Sequence, residues 1–348
     1  MKNVVISISV AVFVIALVVA YLLFGSATAF KENKKYLFVY TGKADETSVM
    51  NFIEKNDLLK NPSIFKLLAN KTHVWDKLKP GRFEIKKGEN LISITRMLRN
   101  NRQSAVNLVI NKLRTNEDVA GIIAKNFEAD SAEVISYINS SDSLAKLDVD
   151  TNTLMTLIIP NTYTLYWNTP PDRIFKRLKS EKENFWEKKD RTTRAKNLGF
   201  TPTQIYTIAS IVEEETNKDD EKGDVASVYI NRYRAGMPLG ADPTIKFALK
   251  DFGLKRIYRK YLDVQSPFNT YRNTGLPPGP ICTPSAKTID AVLSSPKTNY
   301  MYFVAKSDFS GYHTFSSNYN EHLKRAREYQ KALDTLILRK QNAAKAAL

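Results

Sequence analysis

The sequence predicts an α+β protein in which one N-terminal membrane-spanning helix precedes a small α+β module and a larger mixed α/β unit. Three observations carry that expectation: an uncharged apolar run from Val4 to Phe24, strand and helix signals alternating up to residue 110, and helical stripes broken by proline- and glycine-rich loops beyond residue 149. At 348 residues the chain exceeds the roughly 100–200 usual for one domain, so an anchor and two folded units form the economical division. The expected boundaries are 1–29 for the anchor, 30–110 for the module, 111–148 for a helical connector and 149–348 for the large unit.

The run from Val4 to Phe24 holds only two serines, Ser7 and Ser9, and approaches the roughly 20 apolar residues needed to cross a bilayer. Ala27-Thr28-Ala29 has the pattern of a signal-peptidase site. The apolar run nevertheless exceeds the roughly 7–15 residues of a signal-peptide core, so an uncleaved anchor is expected. Lys2 lies on one side and Lys31, Lys34 and Lys35 on the other; the positive-inside rule alone would put the body of the protein inside.

Tyr36 to Gly42 is a β-branched and aromatic run closed by glycine, hence a strand and turn. Thr47 to Leu59 has helical spacing, with Val49, Phe52 and Ile53 on one face. A second strand is expected at Gly81 to Ile85, a turn at Lys87-Gly88-Glu89, and a helix whose stripe is Leu91, Ile94, Met97 and Leu98. Thr115 to Ile138 predicts one helix, with Val119, Ile122, Ile123 and Phe127 in register, and Asn139 to Ser143 a boundary. Between Pro171 and Lys196 a charged helical stretch interleaves Glu181, Glu183 and Glu187 with lysines, the pattern of a solvated face.

The 52 Lys+Arg against 36 Asp+Glu leave a net charge of +16, which suggests an anionic partner such as lipid head groups, wall polymers or nucleic acid. No nucleic-acid reader motif accompanies it, so no nucleic-acid partner is expected. A single cysteine, Cys282, excludes an internal disulfide framework, and with three histidines a Cys/His zinc site is not expected.

Thr201-Pro202-Thr203-Gln204 supplies an N-cap threonine, a first-turn proline and a glutamine that completes a capping box, so a helix starts here. Its stripe is Ile205, Ile208, Ala209 and Val212, and Glu213-Glu214-Glu215 follow at once. At about 100° per residue Glu214 points away from the stripe while Glu213 and Glu215 flank it, Glu215 slightly nearer. A half-buried carboxyl beside apolar surface keeps its proton near neutral pH, which is what a glycosidic acid requires. Helical geometry leaves the choice between the two open, and a merely solvated glutamate cluster is the competing reading. Further on, Val225 to Arg232 predicts a helix ending at Gly236. The stretch from Ser266 to Pro280 is dense in turn residues that hold a loop in place for a ligand.

In order, Ala209 to Glu213, Val225 to Arg232, Met237 to Thr244, Asn269-Thr270-Tyr271, Thr274 to Gly279 and Gly311 to Phe315 resemble the blocks of the endolytic murein transglycosylase (YceG-like) family, and span roughly residues 201–322. Pro80 to Phe83 and Lys87-Gly88 are similar to that family's LysM-like module. The resemblance implies a non-hydrolytic cut between N-acetylmuramic acid and N-acetylglucosamine in nascent strands, leaving 1,6-anhydromuramic ends and terminating elongation. It also implies one glutamate acting first as acid and then as base, matched to Glu213, with Asn231, Arg232, Asp242, Thr244, Asn269, Tyr271 and His313 as candidates for lining the cleft. Asp242 and Arg232 are equally readable as a structural ion pair, and His313 as a hydrogen-bonded packing residue. Asn161 stands where the family usually carries aspartate. Neither metal nor nucleotide cofactor is implied. The implied partners are glycan strands, the inner membrane with the body on its periplasmic side, and peptidoglycan synthases. A non-catalytic, membrane-anchored wall-binding scaffold is the alternative from another class, and a hydrolase on the same scaffold remains open.

Overall fold

In a computed structural model describing residues 2–346, the chain divides into two compact units. The first holds the residues up to 108 together with 122–131 and 163–170, and the second the remainder. The segment expected as a connector, 111–148, is thus shared, its residues 122–131 belonging to the first unit.

The first unit begins with α1 (Lys2–Phe24), a helix long and apolar enough to cross a membrane, whose apolar window is wholly unburied. There follow β1 (Lys34–Val39), α2 (Glu46–Lys55), α3 (Pro62–Lys71), β2 (Gly81–Lys86), α4 (Leu91–Arg99) and β3 (Ala105–Ile110), whose last two residues are counted with the second unit. Strands β1 and β2 pair antiparallel, with Leu37 opposite Phe83 and Lys35 opposite Ile85. Alternation puts Leu37, Val39, Phe83 and Ile85 in the core, where Ile53 and Phe65 of α2 and α3 and Ile94 and Leu98 of α4 meet them. Each such burial contributes about 1.5–3 kcal/mol before entropy. Asp45 and Asn90 cap α2 and α4 by accepting from Ser48 N and Ser93 N, both at 2.8 Å, and Gly88 takes the left-handed φ of +82° that the turn before α4 needs. The residues after α1 are part of this fold: Ala27 and Phe30 are buried, and Thr28 bridges to Leu59.

Next in the chain come α5 (Asn116–Asn126), α6 (Ser131–Asn139), α7 (Ser141–Ala145), β4 (Asn161–Tyr166), α8 (Pro171–Glu187) and α9 (Arg191–Leu198). The helix expected over 115–138 is therefore two. Glu128 is diverted at the break, its N–H bonding Trp167 O at 2.9 Å and its carboxylate accepting from Thr41 N and Oγ1 at 2.5 and 2.6 Å. The stretch expected over 171–196 is also broken, by left-handed Lys189 and Asp190, so that the buried Arg191 reaches Asp290 at 2.7 Å and Phe185 O at 2.8 Å.

The second unit is organised around α10 (Pro202–Glu215), of which all eight residues from Ile205 to Val212 are buried. The capping box at Thr201 and Gln204 forms as the sequence dictates, at 3.2 and 2.9 Å. Around α10 pack α11 (Lys222–Arg234), α12 (Asp242–Leu249) and α13 (Ala286–Leu293). A β5 (Tyr302–Ala305) and β6 (His313–Ser316) hairpin leads into α14 (Tyr319–Ala346).

Candidate active site

The burial of α10 forces its last three residues to leave the core in three directions. Glu213 turns inward between α11 and α13, where it accepts from Lys222 Nζ at 3.4 Å, from Ser285 Oγ at 3.2 Å and from the Thr288 hydroxyl. Lys222 is buried and also pairs with Asp219 at 2.8 Å. Glu214 is held by the Arg114 guanidinium at 3.1 and 3.2 Å and by Lys112 at 3.2 Å. Glu215 alone opens into a cleft of about 490 Å³.

The cleft is walled by Tyr229 and Arg232 of α11, Gly240 and Asp242 at the start of α12, Tyr271 of the proline-rich loop, Tyr302 of β5 and His322 of α14. Tyr229 donates its hydroxyl to Glu215 at 2.5 Å. Burial lifts the Glu215 carboxyl to about 7, the neighbouring Asp242 adding to the effect while the Tyr229 hydroxyl, Lys246 and Arg232 oppose it. Near neutral pH such a group both gives and accepts a proton, the condition for general acid–base work. Opposite, Tyr271 donates to Asp242 at 2.5 Å. Gly240 has a φ of +61° and lies so near Arg232 Nη1, 3.3 Å from where a Cβ would sit, that a side chain there would crowd the guanidinium. That guanidinium donates to Met301 O at 2.6 Å and Leu239 O at 2.5 Å and lies over the Tyr302 ring at 5.2 Å. The Arg232–Asp242 ion pair weighed from sequence does not form.

Of the eight residues named from the sequence, Arg232, Asp242 and Tyr271 meet in this cleft. The others serve its frame. Asn231 donates to Thr298 O and Tyr300 O at 3.0 and 2.9 Å. Buried Thr244 bonds Ala241 O at 2.6 Å and Thr270 Oγ1 at 2.8 Å. Buried Asn269 staples the loop through Leu262 O, Val264 O and Tyr271 N at 2.8, 2.9 and 3.0 Å. His313 bonds the buried Glu221 through Nδ1 at 2.8 Å and its backbone N–H at 2.9 Å, and Glu221 also accepts from Thr216 Oγ1 at 2.6 Å. Glu213 is salt-bridged outside the cleft. Tyr229, Tyr302 and His322 are not among the residues the sequence names for the site: Tyr229 lies inside the Val225 to Arg232 block without being distinguished there, and Tyr302 and His322 lie outside every motif block. His322 stacks on Tyr302 at 5.2 Å, and burial together with Arg232 lowers its pKa.

A helix-borne carboxyl raised to about 7 thus stands in an aromatic cleft beside an arginine and a tyrosine-bonded aspartate, an arrangement able to exchange a proton near neutral pH. The chain belongs to the YceG-like family, whose model matches residues 40–328. It is 27% identical over 303 residues, 81% of each chain, to a Bacillus subtilis protein named endolytic murein transglycosylase. A Streptococcus pneumoniae protein of the same name is 28% identical over 176 residues, covering 49% of this chain and 31% of that protein. The crystal structure of a yceG-like protein from Listeria monocytogenes superposes with a TM-score of 0.55 at 25% identity, over 84% of this chain and 99% of the other.

Proposed function

We propose that this protein is an endolytic lytic transglycosylase that cuts peptidoglycan strands between N-acetylmuramic acid and N-acetylglucosamine, with Glu215 as its acid and base. The carrying observation is the Glu215 carboxyl, raised to about 7 in an aromatic cleft, in a chain whose relatives bear that activity's name. Protonated Glu215 gives its proton to the bridging oxygen as the glycosidic bond breaks. The resulting carboxylate, steadied by the Tyr229 hydroxyl, takes the proton of the muramic 6-hydroxyl while that oxygen closes on C1, and no water enters the product. Arg232, Asp242 and Tyr271 line the sugar-binding walls. Asn231, Thr244, Asn269 and His313 support them from behind through the hydrogen bonds described above. Glu213 favours a structural role, because its carboxylate is engaged by a buried lysine and two hydroxyls.

The chain carries an N-terminal helix long and apolar enough to cross a membrane. Reading it as a retained inner-membrane anchor with the body on the periplasmic side follows from the wall substrate, and gains support from Ala27-Thr28-Ala29: Ala27 and Thr28 are buried, so cleavage after Ala29 would remove part of the first unit's core. The β1-α2-α3-β2 order with antiparallel strands favours a LysM-like glycan-holding role for that unit. Work beside strand-polymerising synthases fits an enzyme that ends nascent strands.

Mass analysis of sugars released from peptidoglycan tests the reaction. Products ending in 1,6-anhydromuramic acid are expected. Reducing ends would make the protein a hydrolase, and glycan binding without any product would make it a scaffold.

A further inference from the structure

The cleft that holds Glu215 is also lined by three rings to which the chemistry above gives no task, Tyr302 of β5 and Tyr319 and His322 of α14. Tyr319 and His322 are three residues apart and so share one face of their helix. Asn318 fixes the start of that helix, its side-chain oxygen accepting from Glu321 N at 3.0 Å, and the hairpin holds Tyr302 opposite Ser316. The Tyr302 and His322 rings lie 5.2 Å apart with only 24° between their planes, and Tyr319 stands 5.8 Å from the first and 6.2 Å from the second. Together they make an aromatic strip. Tyr319 is 56% exposed, so a large part of that strip is open to a ligand.

The histidine contributes its flat face. Its Nδ1 is buried with no hydrogen-bond partner among the described residues, a cost that no contact within the protein offsets. Burial together with Arg232 lowers its pKa, which keeps the ring uncharged near neutral pH. Arg232 supplies the polar group beside the strip. Its guanidinium lies over the Tyr302 ring, and Nε and Nη1 are taken by Met301 O and Leu239 O, whereas Nη2 has no acceptor among the described residues. On α11 it follows Tyr229 by three residues, on the face whose hydroxyl bonds Glu215.

We infer that Tyr302, Tyr319 and His322 form the subsite for an N-acetylated sugar ring adjoining the bond to be cut, with Arg232 donating to its acetamide oxygen, a deepening that rests on the function proposed above. A pyranose ring has an apolar C–H face and a polar rim, which suits a flat aromatic strip edged by one free donor. The acetamide carbonyl is an acceptor for a charged donor. A ring carrying a free amine instead presents an ammonium to the arginine, and like charges at that range repel. The subsite therefore distinguishes acetylated from deacetylated glycan.

The test reads binding in this cleft without requiring turnover. In the full-length protein in detergent, Tyr319→Trp places a fluorophore in the strip, and its signal is taken against the unaltered protein, which has three tryptophans of its own. A β-1,4 oligomer of N-acetylglucosamine is expected to change that fluorescence saturably, and the same oligomer with free amines to bind at least about tenfold more weakly. Added to Tyr319→Trp, His322→Leu is expected to raise Kd for the acetylated oligomer about tenfold, while His322→Phe, which keeps a flat ring, holds it. With peptidoglycan strands, Tyr319→Ala, a change at an exposed residue, is expected to raise KM and leave kcat nearly unchanged. No saturable signal, equal affinity for both oligomers, or a Kd indifferent to His322→Leu overturns the inference. A saturable, acetyl-dependent signal from a protein that makes no anhydromuramic ends supports the subsite and defeats the transglycosylase reading, so the two fail separately.

Discussion

The three consecutive glutamates at the end of α10 show how far one residue's surroundings decide its chemistry. Helical geometry in the sequence already separated Glu214 from its neighbours and put Glu215 nearer the apolar stripe. It contained no sign that Lys222, nine residues on, would close over Glu213, nor that Tyr229 would meet Glu215. Because Glu215 titrates at about 7 instead of 4.5, the folded chain holds that proton more tightly than the unfolded one between those values. Stability from this group therefore falls as pH rises from 4.5 to 7, and activity that needs the protonated acid falls through about 7. Tyr229→Phe removes a donor that favours the carboxylate, so the alkaline limb of the pH–rate profile should move upward; a limb that moves downward or stays would place the acid elsewhere. Glu213→Gln should keep the same limb but cost about 1–3 kcal/mol in thermal unfolding, as buried Lys222 loses one of its two ionised partners and keeps only the exposed Asp219.

Elements whose limits are set locally were legible. The capping box that starts α10, the strands around Phe83 and the stripe of α4 follow from residues within one turn of each other. The breaks at Glu128 and at Lys189-Asp190 were not, because each is drawn by a distant partner, Thr41 and Trp167 in one case and Asp290 in the other. The same division holds in the site: the motif blocks single out the loop of Asn269 and Tyr271 but do not tell the residue that holds the loop from the one that faces the cleft. Asn269 is the staple, satisfying three backbone groups while itself buried. Asn269→Ala should cost about 2–3 kcal/mol and speed proteolysis between Ser266 and Arg272. Unchanged cleavage there would show that the prolines hold the loop by themselves.

At the scale of the whole molecule, the apolar N-terminus joins directly to folded structure. Backbone bonds of 3.0 Å from Ala27 N to Glu89 O and 2.8 Å from Lys60 N to Ala27 O, with Gly88 N donating to Thr28 Oγ1 at 2.9 Å, build the apparent processing site into the first unit. A chain beginning at residue 26 should therefore be more stable than one beginning at residue 30, by about 2 kcal/mol or more; equal melting temperatures would restore the possibility of cleavage. Charge and composition had narrowed the partner only to something anionic, whereas the ordered motif blocks named the family and the fold supplied the cleft. The most direct measurement is the sugar products made from peptidoglycan by the unaltered protein, by Glu215→Gln and by Glu213→Gln, each shown to be folded. Anhydromuramic ends that persist with Glu213→Gln and fall by about 10²–10⁴ with Glu215→Gln are predicted. Activity lost with Glu213→Gln and retained with Glu215→Gln would contradict the assignment and return the acid to the buried pair with Lys222.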